Sequence, residues 1–189
     1  MALSFVTTNR HKFIEVSRIA REYGLEIVQV NMSYREVQSD SVEEVARVGA
    51  VEACKALGAP CFVEDSGLFI EALRGFPGPY SSFVFRTIGN RGILRLMSGE
   101  GNRRAKFMSA VGYCEPGKDP VVFIGEVEGR IAEDVRGSQG FGYDPVFIPD
   151  EGDGRTFGEM ETGEKNMLSH RGRAIKRFLS WLADEKRTG

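Results

Sequence analysis

Leu3-Ser4-Phe5-Val6-Thr7-Thr8-Asn9-Arg10-His11-Lys12 begins as a short apolar run and turns at once to small polar groups and basic residues. An apolar run that gives way to a capping residue marks a strand feeding a helix, the unit from which mixed α/β sheets are built. Asn9 suits the N-cap, because its side-chain oxygen can accept from the first free amides of a helix. Beyond it Phe13, Val16, Ala20 and Tyr23 recur on one face, so residues 12–23 read as an amphipathic helix, with the polar Glu15 among them. The same junction suits an anion. Free amides, the positive end of the helix dipole and the Lys12 ammonium all favour negative charge there. The stretch has neither the Gly-x-x-x-x-Gly-Lys-Ser/Thr of a P-loop nor the Gly-x-Gly-x-x-Gly of a dinucleotide turn, so a plain helix cap and a phosphate site both stay open on these residues.

Outward from this junction, strands and helices are mixed along the whole chain. Residues 26–30 read as a strand, and Ser41 with Glu44 has the spacing of a capping box, opening a helix that Gly58 and Pro60 close. Residues 61–63 give a further strand. Gly75-Phe76-Pro77-Gly78-Pro79 reads as a surface loop, since its prolines lack donors and its glycines favour unusual dihedrals. Residues 105–113 and 121–131 form an antiparallel hairpin turning at Pro116-Gly117. The glycine-rich residues 137–158 read as a long loop suited to binding. The last helix is expected over 170–184, with Ala174, Ile175, Phe178, Leu179 and Leu182 on its apolar face. There is no internal repeat, low-complexity tract or linker.

Composition narrows the class. At 189 residues, 41% hydrophobic and 28% charged, residues 1–189 can bury a core as one domain or two closely joined lobes. No apolar run reaches membrane-spanning length and the first residues lack the charged start of a signal peptide, so a cytoplasmic protein is expected. Cys54, Cys61 and Cys114 are odd in number and lack the second pair that a zinc site needs, and they read as free and buried. A net charge of −2 argues against wrapping a nucleic-acid polymer.

Three further clusters carry chemistry. Glu64-Asp65-Ser66-Gly67 follows a short apolar strand, and a carboxylate at a strand's end is where α/β proteins place ligands. Mg²⁺ takes one or two carboxylates and leaves its other positions to water and phosphate, and Glu36 can supply a second carboxylate from another loop. The same tetrapeptide also reads as an Asp-stabilised turn. Phe141-Gly142-Tyr143-Asp144-Pro145 offers a flat ring to stack on and a carboxylate to accept a ring N–H, or else is a buried aromatic turn. Lys165 with Ser169-His170-Arg171 places cations beside a helix N-terminus, which is unfavourable unless an anion lies between them. Of the two histidines, His11 reads as a surface residue and His170 as a site residue.

Taken in order, Thr7-Thr8-Asn9-Arg10-His11-Lys12, the Glu36 loop, Glu64-Asp65-Ser66-Gly67-Leu68, Gly75-Phe76-Pro77-Gly78-Pro79-Tyr80-Ser81, Phe141-Gly142-Tyr143-Asp144-Pro145, Glu159-Met160, Lys165 and Ser169-His170-Arg171-Gly172 resemble the inosine triphosphate pyrophosphatase family, most of all its archaeal members. The resemblance implies an α/β fold with a long mixed sheet flanked by helices and a cleft between two lobes. It implies Mg²⁺-dependent hydrolysis of ITP, dITP and XTP to the monophosphate and pyrophosphate, clearing deaminated purines. It assigns phosphate contacts to Thr7, Thr8, Asn9, Arg10, His11, Lys12 and Lys165, the metal to Glu36 and Asp65, and the general base to Asp65. Ser66 would touch the nucleotide, Phe141 would stack on the base, and Gly142, Tyr143, Asp144, His170 and Arg171 would complete the pocket. A donor such as His170 or Arg171 aimed at the 6-oxo group can separate these bases from adenine by roughly 10⁴. The family is usually homodimeric, and residues 75–83 with their aromatics are a candidate interface. Two positions depart from the pattern. Glu64 replaces an aspartate, and the phosphate-binding lysine of bacterial relatives is absent unless Lys55 substitutes. Three other readings compete: an RNA-binding module on Arg171, Arg173, Lys176 and Arg177, a Maf-like pyrophosphatase of other base preference, and a structural partner protein.

Overall fold

A computed structural model describes residues 2–188. Strand β1 (Ala2–Val6) buries Leu3, Phe5 and Val6, and helix α1 (Arg10–Glu22) follows. Asn9 caps that helix, its Oδ1 accepting from the amides of His11 (3.0 Å) and Lys12 (3.2 Å). The helix stops one residue short of the expected end. Tyr23 becomes its C-cap, and Gly24 takes up the positive φ of 67° that leads the chain away, so Tyr23 leaves the apolar face for solvent. Strand β2 (Glu26–Val30) returns parallel to β1. Helix α2 (Val42–Leu57) ends at Gly58 as expected, and Ser41 Oγ accepts from the Glu44 amide. Only half of the capping box forms, because the Glu44 carboxylate accepts from Ser39 Oγ instead.

Strand β3 (Cys61–Ile70) is the largest departure from the sequence reading. It does not end at residue 63 but runs through Glu64-Asp65-Ser66-Gly67, all four paired with the long strand β5 (Arg104–Cys114). A polar run of this kind hides a strand, and the structure sustains it because Ser109, Lys12 and Arg171 satisfy the Glu64 and Ser66 side chains. Gly67 is fixed by contact. A Cβ there would lie 2.3 Å from the carbonyl oxygen of Gly78. The Gly75–Pro79 segment is accordingly no free loop, since β4 (Pro77–Gly78) is buried and pairs with Leu68 and Phe69. Phe76 and Tyr80 do remain exposed.

Helix α3 (Ser81–Leu96), unforeseen in the sequence, is interrupted at Gly89, where φ is 60°. Strand β6 (Val121–Ile131) forms the expected hairpin with β5. The glycine-rich loop contains strand β7 (Phe147–Pro149) and two short 3₁₀ turns, at Asp144–Val146 and Phe157–Glu159. The chain closes with α4 (Thr162–Leu168) and α5 (His170–Thr188).

The sheet order is β2-β1-β3-β5-β6-β7 with β4 beside β3; β1 is parallel to both neighbours and the other pairings are antiparallel. Helices α1 and α5 close over Phe5, Phe62, Val111 and Tyr113 on one face. Helix α2 covers Cys61, Val63, Ala110 and Cys114 on the other, and all three cysteines are free and buried. A separate apolar cluster around Leu68, Phe107, Val127 and Phe147 fills the distal half of the sheet beneath α3. Among the described residues no helix is long and apolar enough to cross a membrane.

Two glycines set the helix-to-sheet distance. A Cβ on Gly112 would lie 2.3 Å from the Ala46 carbonyl oxygen of α2, and one on Gly125 would lie 2.1 Å from the His170 carbonyl oxygen of α5. Both obstacles are backbone, which cannot swing aside. Gly125→Ala is therefore expected to destabilise the protein by about 2–3 kcal/mol through overpacking, seen as a lower urea midpoint, whereas Gly101→Ala, in open space, leaves the midpoint near the wild-type value.

Candidate active site

A cavity of about 330 Å³ opens where α1, β3, α3, α4, α5 and the 141–144 turn converge. It is lined by Asn9, His11, Lys12, Asp65, Ser66, Phe141, Gly142, Tyr143, Asp144, Lys165, His170 and Arg171, so most of the residues singled out in the sequence come together. Thr7, Thr8, Arg10 and Glu36 lie outside that lining. Thr7 Oγ1 accepts from the Asn9 amide at 3.1 Å, and Thr8, Arg10 and Glu36 are exposed. The amides expected to be free at the α1 start are thus partly used. Those of Asn9, His11 and Lys12 have protein acceptors, leaving Thr8 and Arg10 as the unfilled donors among the described residues. Lys55 is exposed on α2, pairs with Glu52 and lies away from the cavity.

The floor is a charge network built around Glu15, which the sequence analysis left outside its site. Its Oε1 meets Lys165 Nζ at 2.6 Å and its Oε2 meets Arg171 Nη1 at 2.6 Å. Lys165 also meets Asp144 Oδ2 at 2.6 Å, an oxygen that accepts from the Phe141 amide as well. Arg171 reaches on to Glu64 Oε1 at 3.2 Å and donates to Ser66 Oγ. Lys12 closes the run at 2.9 Å from Glu64 Oε2. The anion that the Lys165 and Arg171 cations demanded is therefore protein. Its one sequence signal was a carboxylate four residues before Ile19, on the buried stripe of α1.

Position within this network sets each group's protonation. Burial pushes Glu15 up, but Arg171 and Lys165 outweigh it and its pKa falls below the ordinary value. Asp144 has to share Lys165 with Glu15, so burial prevails and its pKa rises. Glu64 is buried too, yet Arg171, Lys12 and the Ser109 hydroxyl hold it far below the carboxylate range. Its neighbour Asp65 goes the other way. Burial raises it to about 7 and the charges of Glu64 and Glu36 add to the rise, against the opposing pull of Lys12. Asp65 Oδ2 is buried with no hydrogen-bond partner, an oxygen donor in want of a ligand. Among the described residues no group of three or more His, Cys, Asp or Glu side chains forms a metal cage.

The other end is aromatic. The Phe141 ring has the Lys165 ammonium 4.9 Å and the Arg171 guanidinium 5.2 Å from its centroid, and His11 stacks on it at 5.3 Å. His11 is exposed, as expected of a surface residue, and also forms a wall of the cavity. His170 stacks flat on Phe107 at 4.5 Å, and burial with Arg171 and Lys165 nearby drops its pKa well below 6.5, leaving it neutral with Nδ1 unpartnered. Tyr143 donates to the Ser81 carbonyl oxygen at 3.2 Å. From α3, which was not foreseen, Ser81, Ser82, Phe85 and Arg86 complete the wall. The RNA-binding alternative loses its surface, because Arg171 is buried while Arg173 and Arg177 cap the Glu126 and Ile124 carbonyls of the β6 edge.

A mixed sheet bordered by a cavity with a helix start, a free carboxylate and an aromatic, donor-rich end defines an α/β protein with one compact polar and aromatic site. Residues 3–181 match the Ham1 family. A dITP/XTP pyrophosphatase of Methanopyrus kandleri is 56% identical, the match covering 96% of each chain. One from Methanothermobacter marburgensis is 50% identical over 97% of each. A solved Ham1 protein from Coxiella burnetii superposes with a TM-score of 0.84 at 28% identity, over 97% of this chain and 99% of that one. The chain belongs to the Ham1 family, and the resemblance read from its sequence blocks holds over nearly its whole length.

Removing Glu15 leaves two buried cations facing each other, so Glu15→Ala is expected to cost about 3–5 kcal/mol in urea unfolding. Because its pKa is lowered by folding, Glu15's contribution is complete above its unfolded value of 4.5 and is lost as pH falls through the folded one. Glu15→Gln should therefore show a flatter loss of stability below pH 4.5 than the wild type. Asp144, raised by folding, tilts the curve oppositely and is untouched by that substitution.

Proposed function

We propose that this protein is a pyrophosphatase that hydrolyses dITP, ITP and XTP to the monophosphate and pyrophosphate, removing deaminated purines from the nucleotide pool. The observation that carries the reading is Asp65, whose free, buried oxygen shares one cavity with the α1 start and the Phe141 end. The names of the relatives point to the same substrates.

Of the two adjacent carboxylates, only Asp65 can act as a base. Glu64 is locked as an anion between Lys12 and Arg171, whereas Asp65 has an unfilled oxygen and a pKa near 7. A carboxylate so poised accepts a proton from water as that water opens the α–β anhydride. Mg²⁺ fits this donor set, since Asp65 has oxygen to give, Glu36 is close enough to act on its pKa, and no protein cage would displace water and phosphate. Held by Asp65 and Glu36, the ion would neutralise phosphate charge and acidify water. Phe141 offers the face on which the base stacks once His11 yields it. A homodimer in the cytoplasm belongs to the same proposal, with Phe76, Tyr80 and Phe83, 41%, 42% and 61% exposed, as the apolar surface that a second copy would cover.

Pyrophosphate release from dITP, XTP, GTP, ATP and CTP, with orthophosphate followed in parallel, tests the activity. Fast pyrophosphate from dITP and XTP, abolished by chelation and restored by Mg²⁺, is expected, and orthophosphate as the main product would sink the reading. Asp65→Asn should lower kcat by about 10²–10⁴-fold while the fold, by circular dichroism, stays intact. Phe83→Glu should turn a dimer into a monomer in sedimentation, and a wild-type monomer would remove the dimer from the proposal.

A further inference from the structure

We propose that Arg86 is the cation that receives the substrate's polyphosphate, an assignment that rests on the nucleotide reading above. Four lysine and arginine side chains line the cavity: Lys12, Arg86, Lys165 and Arg171. Three of them already have carboxylate partners. Lys12 pairs with Glu64, Lys165 with Glu15 and Asp144, and Arg171 with Glu15 and Glu64. Asp65 then adds a further carboxylate to the wall. A triphosphate of about four negative charges gains most from a cation whose charge no protein carboxylate already occupies.

Arg86 is the lining cation that has no carboxylate, carbonyl or ring partner among the described residues. The paired cations have their charge already matched by carboxylates and keep only single N–H groups for a ligand. Arg86 gives up nothing. Its guanidinium presents a planar fork that matches two phosphate oxygens at once.

Location separates a phosphate role from a base role. The groups at the aromatic end are buried, with Tyr143, Asp144, Lys165, His170 and Arg171 all at 3% exposure or less. Arg86 is exposed, on the open side, where the highly hydrated polyphosphate loses least water. Its helix turn is nevertheless fixed. The preceding Phe85 packs edge-on against Tyr143 at 5.3 Å, and Ser81 at the start of α3 holds the Leu68 amide at 2.8 Å and the Gly78 carbonyl at 2.7 Å. The arginine thus projects from a support tied both to the base end and to β3.

The test compares wild type, Arg86→Gln and Arg86→Lys in turnover of dITP and XTP and in calorimetric binding of inorganic tripolyphosphate and of inosine. Arg86→Gln should raise KM for both nucleotides by the same factor, about tenfold or more, and weaken tripolyphosphate to a similar extent. Inosine binding should not change, and Arg86→Lys should recover much of the loss. Unchanged tripolyphosphate affinity overturns the proposal, as does a KM effect on one base alone, which would place Arg86 at the base. Wild type that binds tripolyphosphate through Arg86 yet hydrolyses neither nucleotide would sustain the anion site and sink the pyrophosphatase reading, so the two failures are distinct.

Discussion

Six charged side chains run through the interior in strict alternation: Asp144, Lys165, Glu15, Arg171, Glu64 and Lys12, each meeting the next at between 2.6 and 3.2 Å. The run joins α1, α4, α5, β3 and the turn at Asp144, elements far apart in sequence. Such a chain is not a large source of net stability, because the desolvation of each ion offsets much of the attraction it gains. What it fixes is relative position. No inner member can move or be truncated without stranding a buried charge, so the helices that frame the cavity are held in one arrangement with respect to β3. It also explains how Arg171 survives in the first turn of α5 against the helix dipole, since Glu15 and Glu64 supply the compensating charge.

The other constraint is the register of β3. It pairs with β1 only at Cys61 and Phe62, and with β4 only at Leu68 and Phe69, so residues 63–67 keep one free edge facing the cavity. Side chains alternate across a strand, and neighbouring Glu64 and Asp65 therefore point to opposite faces. One enters the charge run and is held ionised. The other is pushed up to about 7 by burial and by the charges of Glu64 and Glu36, against the pull of Lys12. Divergent environments around two carboxylates are a mark of sites that divide structural from chemical work between them. Here a single peptide step accomplishes the division.

The parts of the fold with local signals were readable from sequence. Asn9, Gly58 and the alternation in β5 and β6 each announce their element through a cap, a stop or a period. The rest depended on distant partners. Glu64-Asp65-Ser66-Gly67 looks like a turn until Ser109, Lys12 and Arg171 are in place to satisfy it, and α3 carries only a diffuse apolar face broken at Gly89. At the site, most side chains in recognisable blocks come to the cavity while Thr7, Thr8, Arg10 and Glu36 do not line it, and side chains whose role comes from what they touch were not assigned to it. Glu15 stands out in sequence only as a polar group beside Asn9 and Lys12 at the strand-to-helix junction, and Arg86 is one arginine among many.

Base selection follows from which groups have fixed polarity. His170 is neutral, so each ring nitrogen can be donor or acceptor according to tautomer, and it can adapt to an oxo or an amino group. Arg171 cannot adapt. Its Nε, Nη1 and Nη2 face Glu64, Glu15 and Ser66, and the N–H groups that remain are donors only. Lys165 is likewise donor only, with two of its three protons engaged by Glu15 and Asp144. On the proposed reading, a purine placed against Phe141 would therefore meet two obligate donors and one adaptable ring. A 6-oxo group would satisfy them, whereas the amino group of adenine would set donor against donor in a buried site, where an unmet hydrogen bond is most costly. Guanine shares the 6-oxo group, so these donors cannot reject it, and its exclusion has to arise at the opposite edge of the ring.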